Sequence, residues 1–150
     1  MKKTLQCLLL VFGLALLLSG LGTSAFAEGE IYRHWNAETG AISFDSNPVG
    51  GTAITALNNL TLLPDGVEKD AVKKIMFACD VPVTSGNSLF SDFVNLSEIK
   101  GLLRLDVSAV TDMSNMFSGC SGLTELNLGG FDTAAVTDMS GMFSGCSGLT

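Results

Sequence analysis

Apolar and polar positions alternate in several short stretches of the chain. Leu123-Thr-Glu-Leu126-Asn-Leu128 reads Leu-x-x-Leu-x-Leu. Leu126 and Leu128 therefore share one face of a strand, with Glu125 and Asn127 on the other. Val72-Lys-Lys-Ile75-Met-Phe77 and Leu96-Ser-Glu-Ile99-Lys-Gly101 repeat the template upstream. Strand starts at 72, 96, 123 and 149 are spaced by 24, 27 and 26 residues. Leu57-Asn-Asn-Leu60-Thr-Leu62 fits as well, but it lies only 15 residues before Val72, too close for a full unit.

A second pattern fills the space between strands. Val136, Met139, Met142, Phe143, Cys146 and Leu149 follow at steps of three, three, one, three and three. That spacing predicts a helical or 3₁₀ segment with its apolar side inward. Gly129-Gly130 ends the preceding strand, and Gly145 and Gly148 allow a turn into the next. Residues 110–124 and 136–150 match at fourteen of fifteen positions at an offset of 26, differing only at Asn115 and Gly141. Leu89-Phe90 stands where Met116-Phe117 stands later, and Leu105-Asp-Val-Ser-Ala-Val110 matches Phe131-Asp-Thr-Ala-Ala-Val136. Strand, turn, short helical segment and turn, repeated in the twenties, predict an α/β solenoid over residues 66–150 whose stacked coils share one core.

Residues 28–65 differ. Ile31–Trp35, a polar Asn36–Gly40 turn and Ala41–Phe44 read as a β-hairpin, and Asn47-Pro48 and Gly50-Gly51 mark a loop. This stretch is expected to cap the first coil's open edge.

Composition changes the picture at the N-terminus. The chain is 47% hydrophobic, but residues 1–27 hold 17 of its 70 apolar residues. Lys2-Lys3, the apolar run Cys7–Leu18 and Ala25-Phe26-Ala27 form a signal peptide pattern with cleavage after Ala27. Twelve apolar residues fall short of a membrane span of about 20. The formal charge of −7 becomes −9 without the leader, from six basic and fifteen acidic residues. Such a chain is not built for nucleic acid, and an acidic strand face would favour basic patches on a partner.

Candidate chemistry is sparse. Cys79, Cys120 and Cys146 remain after cleavage, with no Cys-x-x-Cys or Cys/His cluster for zinc. Cys120 and Cys146 occupy one position of adjacent coils, which suits buried thiols better than a cross-coil disulfide because stacked side chains run parallel. Met113, Met116, Met139 and Met142 read as core. Asp106, Asp112, Asp132 and Asp138 recur at 26 and read as cap and turn residues rather than calcium ligands. His34 has no recognisable nucleophile and reads as a hairpin residue. Asn59-Leu-Thr61 and Asn95-Leu-Ser97 fit the glycosylation pattern, which matters only in a host with that machinery. No catalytic, cofactor or metal site is expected. The best partner-binding surface is the outward strand face: Lys74, Met76, Glu98, Lys100, Glu125 and Asn127.

The stretch VTDMSNMFSGCSGLTELNLGGFDTAAVTDMSGMFSGC resembles the bacterial BspA-like leucine-rich repeat surface proteins, in the branch with Val-Thr-x-Met-Ser-x-Met-Phe-x-Gly-Cys-x-x-Leu repeats. Trp35-Asn-Ala-Glu-Thr-Gly40-Ala-Ile-Ser-Phe is similar to the hairpin often found before such repeats, and Val72–Phe77 resembles their first strand. The resemblance covers residues 66–150 well and 31–65 loosely. It implies a secreted or wall-attached bacterial protein that acts as an adhesin toward a host or neighbouring-cell protein, including extracellular matrix. The leucine-rich repeat asparagine would fall at position 131, which is Phe, so a side chain filling core is expected there. The chain stops in mid-repeat at Thr150 with no cap or sorting signal, which reads as the start of a longer protein whose missing part would reach the cell wall. Three roles stay open: an interaction protein, a spacer holding up a domain beyond residue 150, and the N-terminal part of an exported enzyme.

Overall fold

The computed structural model describes residues 31–46, 52–54, 57–58 and 62–150. The predicted leader, its cleavage point after Ala27 and Asn59 lie outside them. Strands β1 (Ile31–Asn36) and β2 (Ala41–Asp45) form the expected antiparallel hairpin, with His34 opposite Ser43 and Trp35 opposite Ile42. Its turn closes locally: the Asn36 side-chain oxygen accepts the Thr39 N–H at 3.0 Å, and Gly40 takes a left-handed φ of 64°. A β-carbon at Gly40 would stand 2.7 Å from the Ala71 carbonyl. The Gly40 carbonyl accepts from Lys73 and Lys74 at 2.8 and 3.2 Å, which brings the next strand alongside.

That strand, β4 (Lys74–Phe77), runs parallel to β2, and β6 (Glu98–Lys100) runs parallel to β4. With β3 (Thr52–Ile54) on the far side of β1, the sheet order is β3-β1-β2-β4-β6. Ile75 and Phe77 of β4 are buried while Lys74 and Met76 face out, the alternation that its sequence predicts. A second short parallel pair joins β5 (Val81–Pro82) to β7 (Leu105–Asp106), and Leu57 bridges to Val83 beside it. Leu57 therefore sits beside this second ladder and not in the main sheet.

The third expected strand differs. Leu123 is buried and Leu126 and Leu128 are half-buried, but 123–128 forms no ladder with β6. Continuing the register Lys74 to Glu98 would set Glu125 beside Glu98, and like charges directly opposite oppose pairing.

The segments read as helical or 3₁₀ also take another form. Residues 114–119 and 140–145 are runs of overlapping turns, and the described 3₁₀ turns are Lys69–Ala71 and Leu102–Arg104. Asn115, Gly119, Gly141 and Gly145 are left-handed, at φ of 56°, 75°, 63° and 73°. A residue of this kind every fourth position stops a continuous helix. The alternate N–H groups freed in this way bond to the next repeat. Ser88, Phe90 and Asp92 donate to the carbonyls of Ser114, Met116 and Ser118 at 2.7 to 2.9 Å. Met113, Asn115, Phe117 and Gly119 donate to Asp138, Ser140, Met142 and Ser144 at 2.7 to 2.9 Å.

Beneath these rows runs the core. Phe44 stacks on Phe77 with centroids 4.9 Å apart, Phe77 meets Phe90 edge-on at 6.4 Å, and Phe90, Phe117 and Phe143 stack at 5.2 and 5.8 Å. A row of rings thus joins the hairpin to the 136–150 repeat. Met113, Met116 and Met142 are buried, as their spacing predicts, whereas Met139 is 44% exposed; Phe131, expected to fill core from the repeat resemblance, is half-buried against it.

Candidate functional site

The outward positions of four strands meet on one face of the main sheet. Register sets them in rows: Asn36, Ala41, Lys74 and Glu98 in one, and His34, Ser43, Met76 and Lys100 in the next. Residues opposite one another in paired strands share a face, so sequence distances of up to 66 positions collapse into one patch. The patch is a shallow concavity of about 500 Å³ whose lining also includes Trp35 and Asp45.

Four of the six sequence-predicted partner residues are here: Lys74, Met76, Glu98 and Lys100. Met76 is 46% exposed, a large apolar side chain open to solvent at the middle of the face. Glu125 and Asn127 are exposed but do not line the concavity, because their segment is not paired to β6. Asn127 instead turns its side-chain oxygen to the Gly129 N–H at 3.0 Å. The hairpin contribution of His34, Trp35, Ser43 and Asp45 was not foreseen. The signal for it was present in β2, whose alternation continues that of β4 once the two strands are set side by side.

The electrostatics also differ from the expected acidic face. The Glu98 carboxylate bridges two ammonium groups, Lys100 at 3.0 Å and Lys74 at 3.2 Å. Hydrogen bonds first from Lys100 and then from Lys74 hold its carboxyl below the ordinary glutamate range. On the hairpin, His34 Nε2 lies 3.1 Å from Asp45 Oδ1. Acidic and basic groups are therefore balanced across the face, and the molecule's excess negative charge lies elsewhere. Residues 105–150 carry five acidic residues and no basic one.

The remaining candidates sit in the stack. Asp112 Oδ1 accepts from the Ser114 N–H at 2.8 Å and the Ser114 hydroxyl at 2.6 Å; Asp138 Oδ1 accepts from the Ser140 N–H at 2.8 Å. Asp106 and Asp132 accept from Ser108 and Ala134 in the same way at 3.2 and 3.1 Å. All four thus satisfy turn N–H groups two residues ahead. The Cys120 thiol donates to the Phe90 carbonyl at 2.8 Å and Cys146 to Phe117 at 2.9 Å, each reaching back one repeat. Burial pushes the Cys120 thiol up to about 12 and raises Cys146 as well. Cys79 is half-buried. Asn95 is exposed, and its amide donates to the Asp70 carbonyl at 2.8 Å. No helix among the described residues is long and apolar enough to cross a membrane.

Residues 80–150 match the family model described as "Mycoplasma protein of unknown function, DUF285". The match is consistent with a BspA-like repeat protein. No curated protein and no solved structure matches the chain significantly.

Proposed function

We propose that the chain is a non-catalytic, secreted or cell-surface interaction protein of the BspA-like leucine-rich repeat type. Its stacked turns form the first coils of a solenoid, the hairpin caps them, and the outer sheet face binds a protein partner in an adhesin-like way. The observation that carries this reading is the concavity on that face. There an exposed Met76 lies among Lys74, Glu98, Lys100 and His34. An exposed apolar anchor among a few charged groups makes the kind of surface that contributes to protein association. Lys74 and Lys100 flank a carboxylate they already neutralise, so an acidic group on the partner would compete with Glu98 for them. An export signal and a surface location fit this role. The concavity favours an adhesin over a spacer, which needs no such patch.

The test is binding of the full chain to immobilised extracellular-matrix proteins and to intact bacterial cells, beside a Met76→Asp, Lys100→Glu variant. Saturable binding that weakens by about tenfold or more in the variant supports the reading. Absence of binding, or equal binding by both proteins, overturns it.

A further inference from the structure

Residues 123–128 lie beside β6 without joining it. Both ends of the segment are fixed against earlier parts of the chain. A β-carbon at Gly122 would stand 2.9 Å from the carbonyl oxygens of Val94 and Leu96, and one at Gly130 would stand 2.9 Å from Leu103 Cδ2. Leu123 is buried, and Leu126 is half-buried against the core. The backbone between these anchors is nevertheless in no ladder, and β6 is the last strand of the main sheet. The segment is a strap, held at its ends and unpaired in its middle.

The open side of β6 is in phase with it. Lys74 and Ala78 donate their N–H groups back to the hairpin, at the carbonyls of Gly40 and Phe44, so those of Ile75 and Phe77 point on toward β6. Ile99 stands opposite Ile75, so its N–H points on in turn, toward the strap, where it meets no backbone acceptor. Carried one strand further, the register sets Glu125 beside Glu98, Leu126 beside Ile99 and Asn127 beside Lys100. Two of these pairs suit a ladder, an apolar pair and an amide beside an ammonium. The third sets like charges opposite one another. The ammonium groups of Lys74 and Lys100 are already engaged by Glu98, and Glu125 is in no ion pair among the described residues.

We propose that residues 123–128 are a strap poised to close on β6 as a further parallel strand, held off by the Glu98–Glu125 charge pair alone. A cationic group brought to Glu125 closes it. Closing carries Glu125 and Asn127 into the rows of Lys74 with Glu98 and of Met76 with Lys100, and widens the outer sheet face by one strand. The strap does not depend on any ligand at that face. The test is backbone amide exchange in the full chain, read as protection at Ile99, Glu125 and Asn127, beside Glu125→Gln and Glu125→Lys variants. Glu125 is exposed, so neither substitution touches the core. Removal of the charge should slow exchange at the three amides by about threefold, and its reversal, which supplies the cation within the chain, by about tenfold. Glu38→Lys, in the exposed hairpin turn, makes the same change in net charge away from the strap and should leave all three amides as they were. Three results overturn the proposal. One is protection of these amides in the original chain equal to that of Ile75, which would mean that the strap is already closed. Another is unchanged exchange in both Glu125 variants. The last is an equal slowing by Glu38→Lys, which would assign the effect to net charge and not to the pair.

Discussion

Glu98 is the residue on which the charge of the sheet face turns. Its carboxylate lies between two exposed ammonium groups, and exposed pairs of this kind contribute little to stability. Their effect is on titration. The folded carboxyl sits below the ordinary value of 4.5, so what it contributes is present above that value. The contribution is lost as the pH falls through the lower, folded value. A carbon-detected titration of the Glu98 carboxyl should give a midpoint below 4.5. Lys100→Met should raise that midpoint more than Lys74→Met, because the Lys100 hydrogen bond is the larger cause. A midpoint that neither substitution moves would mean that the bridge does not persist in solution.

At the scale of elements, the overlapping turns decide how repeats fit together. The left-handed residues form two columns across successive layers: Ser88, Asn115 and Gly141 in one, Asp92, Gly119 and Gly145 in the other. Side chains and glycines complement each other along them. The Asn115 side-chain oxygen lies over Gly141, and a β-carbon on Gly119 would stand 2.8 Å from Asp92 Oδ1 and 3.2 Å from its α-carbon. The single difference between the two near-identical fifteen-residue copies is thus a packing pair. Gly119→Ala should cost about 2 kcal/mol in urea unfolding, from the left-handed backbone and the close approach together. Asn115→Gly should stay within about 0.5 kcal/mol. Equal effects would remove the columns from the account. The sequence showed the 26-residue period, the hairpin and the inward faces of β4 and β6, because strong duplication and strand alternation are local signals. It did not show these turns. Apolar residues three apart serve a helix and a run of turns equally well, and only the glycines and Asn115 four apart distinguish the two. The hairpin half of the sheet face was hidden for a different reason: that β2 lies beside β4 is a long-range pairing, set by Gly40 and the Lys73 and Lys74 N–H groups.

In the repeats 110–124 and 136–150, one ring and one thiol tie each to the layer before it. Cys120 is fully buried, and its hydrogen bond to the Phe90 carbonyl spans the interface between layers. A thiol reacts as thiolate, and burial places the Cys120 thiol near 12. Iodoacetamide at pH 8 should therefore modify the half-buried Cys79 and Cys146 first, and Cys120 only at the rate at which the stack opens as a unit. The same shift sets a pH limit. An unfolded thiol titrates near about 8.5, so the contribution of Cys120 is fully present below that pH and is lost as the pH rises through about 12. Unfolding by urea should thus become easier above about pH 8.5, and Cys120→Ala should flatten that dependence while lowering stability at neutral pH. If Cys120 were modified as fast as Cys146, the layers would separate locally, and the stack would behave as independent repeats rather than as one cooperative body.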